Sequence, residues 1–330
     1  MRFATILLLK LYVGVTGELI VQLSKTTDGS GLVNISFPFH DVTVRMLLSF
    51  GQADVVPGES FRPLTFVFHG VAEEEGALTP SNYTFENPEV LFVNDLPPRL
   101  ALSPSSQLLR NAGSVAMVHS STNNTAAVAN LVIGSLLPSF SRTCEPRSMM
   151  AIQLTSNDQF RADVRIGDRI VSSDNGRFYS SDDGLIAMIP HRIYFSILAA
   201  AESAGARWVM NRLSSCSQAV IESLPVIEII FPEIGQIVIF PDEYMQTSTD
   251  DDTTCRLSVD STYNTQILID PFKIPGFNFR VSQNRRIEIC DAAAIEAEPG
   301  VVADPHRIEA VPRQSVFRRF LGCIGRLCTR

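Results

Sequence analysis

The stretch VRMLLSFGQADVVPG, residues 44–58, decides how the rest of the chain is interpreted. Apolar residues lead into a short turn, Ser49-Phe50-Gly51-Gln52, and a second apolar run leaves it. This pattern is typical of a buried strand that delivers one side chain to a cleft. The delivered residue is a serine, Ser49, and the turn that follows it contains neither an acid nor a histidine.

Length and composition set the first limits on the fold and on its partners. The chain has 330 residues, and 45% of them are hydrophobic, which is enough for a sizeable core in two medium domains or one large β body. The formal net charge is -8. Because nucleic-acid binding needs clustered Lys and Arg, we expect no nucleic-acid partner.

The first 17 residues, MRFATILLLKLYVGVTG, have an arginine, an apolar run and then small residues. This order predicts a secretory signal peptide over residues 1–17, cleaved before Glu18, although an ordinary first strand is the alternative. Three Asn-x-Ser/Thr triplets, at Asn34, Asn82 and Asn123, fit the same route as glycosylation sites. No other segment has the roughly 20 unbroken apolar residues that a membrane helix needs. We therefore expect a secreted protein.

Cysteine and histidine spacing argues against a metal site. The six cysteines contain no Cys-x-x-Cys pair, and the five histidines show no spacing typical of zinc ligands. The sequence also has no phosphate-binding glycine loop. We therefore expect no metal and no cofactor. In an oxidising compartment the cysteines are expected to form disulfides.

The body of the chain, from about residue 18 to 290, consists of short apolar runs bounded by Gly, Pro, Asn, Asp and Ser. VRIGDRIV, IEIIFPEIGQIVIF and FNFRVSQNRRIEIC predict hairpins. Helical periodicity is convincing only over residues 191–213, and residues 103–130 predict surface loops with one short helix. Many strands with few helices indicate an all-β fold.

Two segments indicate a weak internal duplication. VRMLLSFGQADVVP and RFYSSDDGLIAMIP both have an apolar or aromatic lead, a serine-containing turn with a glycine, an apolar run and a proline. They lie about 130 residues apart. We expect two similar β lobes across a cleft, with an N-terminal lobe over 18–145, a C-terminal lobe over 146–292 and a tail over 293–330.

Taken together, these segments resemble the pepsin family of aspartic peptidases over about residues 19–290. LALSPSS, residues 100–106, is similar to the loop that crosses behind the first active loop of the family. LPVIEIIFPEIGQIVIFPDEYM is similar to its long C-lobe hairpin, and ILIDPFKIPGFNFRVSQNRRIEIC to its closing strands. The resemblance implies a bilobal, all-β pepsin-like fold. It also implies two disulfides, Cys144–Cys290 and Cys216–Cys255.

The catalytic chemistry of the family is missing from the matching positions. Its members use two aspartates, one per lobe, that share one proton and so act as base and acid. Gapless matching puts Ser49 and Ser180 at those positions. A serine hydroxyl donates hydrogen bonds but cannot replace a carboxylate base.

Other positions also depart from the family pattern. Phe50 replaces the small hydroxyl residue that braces the two loops, and His69 stands where the flap has a tyrosine. Ala101 and Ile269 replace the two loop glycines, and Glu288 replaces a glycine of the closing strand. Only 20 positions separate Ser49 from His69, which predicts a shortened N-terminal lobe.

Three hypotheses follow for the function. The first is a monomeric, non-catalytic protein that binds a peptide or protein in its interlobe cleft. The second is a working endopeptidase that uses Asp182, because Asp182-Asp183-Gly184 reads as a shifted Asp-x-Gly motif. The third is a purely structural protein without a cleft, in which Phe50 and Ile269 fill the cavity.

The tail ends in SVFRRFLGCIGRLCTR, residues 315–330, which has four arginines and no acid. One interpretation is weak contact with an anionic membrane through the arginines and the neighbouring apolar residues. The alternatives are a disordered or trimmed end, or a Cys323–Cys328 disulfide. Two glycines, Gly322 and Gly325, disfavour a stable helix in this segment.

Overall fold

The computed structural model describes residues 18–25, 31–37, 42–50, 65–74, 77–86, 90–91, 99–104, 106–119, 129–135, 137–144, 147–180, 184–209, 212–214, 217–247, 254–274 and 276–292. Within these residues the protein is mostly β, with 24 strands and five short helices. The all-β class predicted from the sequence is therefore confirmed. No helix in this part of the chain is long and apolar enough to span a membrane.

The elements of the first half precede residue 145. Its strands are β1 (Leu19–Gln22), β2 (Ser24–Lys25), β3 (Gly31–Phe37), β4 (Val42–Ser49), β5 (Thr65–Glu74), β6 (Ala77–Glu86), β7 (Val90–Leu91), β8 (Arg99–Ala101), β9 (Ser114–His119) and β10 (Ala129–Gly134). Its helices are α1 (Gln107–Ala112) and α2 (Pro138–Thr143).

The second half has more, mostly shorter, elements. Its strands are β11 (Met150–Gln153), β12 (Phe160–Ile166), β13 (Arg169–Phe178), β14 (Ala187–Pro190), β15 (Trp208–Val209), β16 (Arg212–Leu213), β17 (Ile227–Phe231), β18 (Gly235–Ile239), β19 (Met245–Thr247), β20 (Cys255–Leu257), β21 (Val259–Thr262), β22 (Leu268–Ile269), β23 (Phe277–Ser282) and β24 (Arg286–Asp291). Its helices are α3 (His191–Ser203), α4 (Gln218–Ser223) and α5 (Pro241–Tyr244).

The strands form three sheets. The largest has 13 strands and runs β11-β24-β23-β9-β10-β1-β5-β3-β4-β8-β7, with β2 beside β3 and β6 beside β5. The second runs β18-β17-β12-β13-β22-β14-β21, and the third β15-β16-β20-β19. Both halves of the chain share the largest sheet, because β23 pairs with β9, as in Phe279 opposite Met117.

The three hairpins predicted from sequence are present. Antiparallel pairs join β12 to β13, β17 to β18 and β23 to β24. In each hairpin, apolar runs that suit a pleated, half-buried surface flank a short polar or glycine-containing turn. Burial alternates along β17, with Ile227, Ile229 and Phe231 buried, and this alternation is what the apolar pattern of the sequence predicted.

Two local predictions were wrong. The helix expected over 191–213 ends at Ser203, because Gly205 adopts a φ of 92° that no α-helix contains, and β15 and β16 follow. The short helix expected within residues 103–130 is present as α1, but the surface loops expected around it include β9, a strand whose first five residues are all buried. Its small residues fit because β9 lies between β10 and β23, where side chains pack on both faces.

One disulfide joins the end of α2 to the last strand. Cys144 and Cys290 are bonded, which is the pairing that the resemblance implies, and both are buried in a small apolar cluster. The bond closes a sequence separation of 146 residues, so it ties the two halves of the chain together. Cys255 is also disulfide-bonded, and Cys216, its expected partner, lies outside the described residues.

Candidate functional site

The first candidate loop begins where β4 ends. β4 runs parallel to β8, with Ser49 opposite Ala101, and the Leu102 N–H donates to the Ser49 carbonyl oxygen at 2.8 Å. This pairing fixes the end of β4 against β8 and the residue that follows it. Ser49 is only 3% exposed, so its hydroxyl has little contact with solvent.

The second candidate loop begins at the corresponding parallel pairing in the C-terminal half. β13 runs parallel to β22, with Phe178 opposite Ile269, and the Tyr179 N–H donates to the Ile269 carbonyl oxygen at 2.9 Å. Ser180 lies two residues beyond the residue that pairs with Ile269, whereas Ser49 itself pairs with Ala101. The two serines therefore occupy different positions relative to the crossing strands.

The two loops meet through a reciprocal pair of hydrogen bonds. The Phe50 N–H donates to Ser180 Oγ at 2.7 Å, and the Ser180 N–H donates to the Phe50 carbonyl oxygen at 3.1 Å. The structure thus brings the two segments singled out from the sequence into direct contact. The Ser180 hydroxyl braces one loop against the other, which is the task that the resemblance assigns to a hydroxyl at the Phe50 position.

Aromatic side chains fill the space beside this brace. Phe50 is 4% exposed, and its ring centroid lies 6.2 Å from Phe178, 5.2 Å from Phe272 and 5.4 Å from Phe279. These distances are typical of favourable aromatic pairs. Ile269 is completely buried nearby in the same core cluster. The junction between the two loops is therefore apolar and closely packed.

A buried ion pair lies next to the aromatic side chains. Asp270 Oδ1 accepts from the Phe272 N–H at 3.1 Å, and Asp270 Oδ2 is 3.9 Å from Lys273 Nζ. The side chains of Asp270 and Lys273 are 1% and 3% exposed. Partners of this kind offset the large free-energy cost of burying charge. Sequence reasoning missed the pair, although Asp-x-x-Lys within an apolar run is a signal that could have found it.

The remaining candidate residues are scattered. Gly184 is buried with a φ of 72°, which favours glycine at that point. His69 is exposed on β5 and lies opposite Asn82 on β6. Asn34 lies on β3, which pairs with β4 and β5. Gly51, Asn123, Asp182 and Cys216 lie outside the described part of the chain, as do the predicted signal peptide (residues 1–17) and the predicted tail (residues 293–330).

Two buried tyrosines have shifted phenol pKa values. Burial raises the pKa of Tyr244 well above its usual range, and burial together with the Asp260 carboxylate does the same for Tyr194. Neither phenol therefore ionises near neutral pH. The described ranges contain no group of three or more His, Cys, Asp or Glu residues placed to hold a metal ion.

Comparison with known proteins does not assign the chain to a group. No family model matches the sequence, and no curated protein matches it significantly. The resemblance to the pepsin family rests on the segments quoted above, and family membership remains a prediction.

Proposed function

We propose that the chain is a secreted, monomeric and non-catalytic protein of the pepsin-like, bilobal type that binds a peptide or protein between its lobes. The observation that carries this proposal is the contact between Phe50 and Ser180. The side chains that meet at this junction are a serine hydroxyl and an aromatic ring, and neither supplies a carboxylate. The Cys144–Cys290 disulfide is compatible with an oxidising compartment and supports the secretory route.

The argument against catalysis is chemical. Hydrolysis by a carboxylate pair needs one base toward water and one acid toward the carbonyl oxygen. Ser49 is buried, and the Ser180 hydroxyl already accepts a hydrogen bond from the Phe50 N–H. Loss of one acid-base group typically lowers a rate about 10²–10⁴-fold. Loss of both leaves the mechanism without either of its proton carriers.

The proposed ligand is an extended segment. Chains rich in strands bind such segments by donating backbone groups to an added strand, while shallow pockets take alternate side chains. Because Phe50 and Ile269 are buried at the junction, a bound segment would be held by the walls of the cleft and not at its centre. The specificity would then come from wall residues and would differ from that of a peptidase.

A structural protein without a ligand is the second candidate. The close packing of Phe50 against Phe272 and Phe279 favours it, because a filled junction leaves less room between the lobes. The two candidates differ in one respect that can be measured. A binding protein retains peptides of related sequence, whereas a purely structural protein retains none.

A single experiment tests binding and catalysis together. The purified, folded chain would be incubated with a diverse peptide library at several pH values from about 3 to 7, the range in which the protonation state of a carboxylate pair changes. Peptides that co-elute with the protein on size exclusion would be identified by mass spectrometry. We expect retained peptides of intact mass. Shortened peptides that disappear with Asp182→Ala would instead support the endopeptidase hypothesis, and no retained peptide would support the structural one.

A further inference from the structure

The outer strand of the longest hairpin carries one of the three glycosylation triplets. β6 pairs with β5 along all ten of its residues, and within the described residues β5 is its only partner strand. The triplet Asn82-Tyr83-Thr84 lies in this strand. Since side chains alternate between the two faces of a strand, Asn82 and Thr84 share one face. Both residues are exposed.

The side-chain amide of Asn82 is exposed and contacts the neighbouring strand through its oxygen. His69, directly opposite on β5, donates from Nδ1 to Asn82 Oδ1 at 2.8 Å. This bond fixes the carbonyl oxygen of the amide toward the neighbouring strand. The nitrogen of the same amide, Nδ2, is the atom that carries an N-linked glycan, and it points away from His69 as the other substituent of a planar group.

The other two triplets are less suitable or lie outside the described residues. Asn34 is in β3, opposite Arg45 of β4, and the next residue, Ile35, pairs with Phe68 of β5. Its backbone is therefore enclosed by strands on both sides. Asn123 lies outside the part of the chain that the structure describes.

We propose that Asn82 is the principal N-glycosylation site and that its glycan covers β6, the outer strand of the β5–β6 hairpin. The co-substrate is a lipid-linked oligosaccharide diphosphate. A bond forms between Asn82 Nδ2 and C1 of the first sugar, and the bond between C1 and the diphosphate oxygen breaks. The amide loses one proton, and the lipid diphosphate leaves. The inference rests on the secretory route of the proposed function.

The covering of β6 has a physical purpose. An outer strand presents N–H and C=O groups that a second chain can pair with, and proteins protect such edges with proline, charge or bulk. Pro80 already interrupts the donor row of β6. A bulky, hydrated glycan two residues further along would exclude a second strand from the rest of the edge. The expected consequence is a protein that stays monomeric at high concentration.

Site occupancy is measured on the full chain secreted from a cell line that adds N-glycans. Enzymatic release of the glycans converts each occupied asparagine to aspartate, which peptide mass spectrometry assigns to a position. We expect conversion at Asn82 in most molecules and little at Asn34. An unmodified Asn82, in a chain that is modified elsewhere or nowhere, would overturn the proposal.

Two matched substitutions then test the role of the glycan. Thr84→Ala removes the acceptor triplet, whereas Thr84→Ser keeps it, so only the first should lose the mass of one glycan. Light scattering should show self-association of Thr84→Ala and a monomeric Thr84→Ser chain. A monomeric Thr84→Ala chain would overturn the covering role. Peptide retention by the same samples tests the proposed function separately, so either proposal can fail without the other.

Discussion

The two parallel strand pairings lead into the same junction but contribute different chemistry to it. After β4 and β8, the chain contributes the ring of Phe50 to an aromatic cluster. After β13 and β22, it contributes the hydroxyl of Ser180 to a backbone N–H. One side packs and the other forms hydrogen bonds. The difference teaches that two loops can be held in contact by packing and hydrogen bonds without a pair of carboxyl groups between them.

The largest expected effect comes from the packing side. Phe50→Ala removes a ring that contacts Phe178, Phe272 and Phe279, and we expect the free energy of unfolding to fall by about 3–5 kcal/mol. Urea denaturation followed by circular dichroism measures this change. Phe195→Ala is the matched control, because that ring is 49% exposed and its loss should change stability far less. Equal losses would contradict the packed junction.

A second large effect is expected at the ion pair beside the aromatic cluster. Lys273→Met removes the cation from the buried Asp270 carboxylate, and we expect a loss of about 3–5 kcal/mol. The double variant Asp270→Asn with Lys273→Met removes both charges and should recover part of that loss. Thermal denaturation of the wild type, the two single variants Lys273→Met and Asp270→Asn, and the double variant measures the coupling. If the two single losses simply add in the double variant, the two residues are not a pair.

A smaller effect is expected on the hydrogen-bonding side. Ser180→Ala leaves the Phe50 N–H without its acceptor, and we expect the free energy of unfolding to fall by about 1–3 kcal/mol. Ser203→Ala is the control, because its hydroxyl bonds within an exposed helix turn. Denaturant titration measures the free energies of unfolding of the Ser180→Ala and Ser203→Ala chains. A Ser180→Ala chain as stable as the wild type would show that the Ser180 hydroxyl contributes nothing to holding the loops together.

The smallest effect is expected at the carboxyl group of Asp158. Burial raises the pKa of Asp158 above its ordinary value of 3.8, even though the Arg285 and Arg177 guanidinium groups oppose the shift. Below pH 3.8 the carboxyl is protonated in both the folded and unfolded chain, so its stabilising contribution is complete. That contribution is lost as the pH rises through the raised pKa of the folded state.

Asp158→Asn should therefore gain stability relative to the wild type as the pH rises from about 3 to 7. Asparagine also tolerates the φ of 55° at this position. Urea midpoints at the two ends of this pH range measure the effect. A relative stability that falls with rising pH would mean that the Arg285 ion pair outweighs burial.

Much of the strand architecture could be predicted because its signals are local. The β17–β18 hairpin shows alternating burial across a tight turn, which a sequence window reveals. β9 could not be found in this way, because its first five residues are all buried and its neighbours in the sheet come from distant parts of the chain. The end of α3 depended on the φ of Gly205, a tertiary detail within a helix-like pattern.

The site could be predicted only in part, because some of its signals are local in sequence and others come from distant residues. The sequence indicated that residues 49–50 and Ser180 belong to matching loops, and the hydrogen bonds between Phe50 and Ser180 bring these loops together. The partners of the Phe50 ring come from positions 178, 272 and 279, so no local pattern indicates the cluster. The role of Ser180 in joining the two loops was also not predicted, because gapless matching placed Ser180 at the position of a catalytic aspartate.

The central claim is that this junction does not support hydrolysis, and cleavage of an unfolded protein substrate tests it most directly. The purified, folded chain and an Asp182→Ala variant would be assayed side by side from about pH 3 to 7, where a carboxylate pair changes state. We predict no cleavage by either chain at any pH. Cleavage by the wild type that is lost in Asp182→Ala would contradict the account and place that carboxylate in a working site.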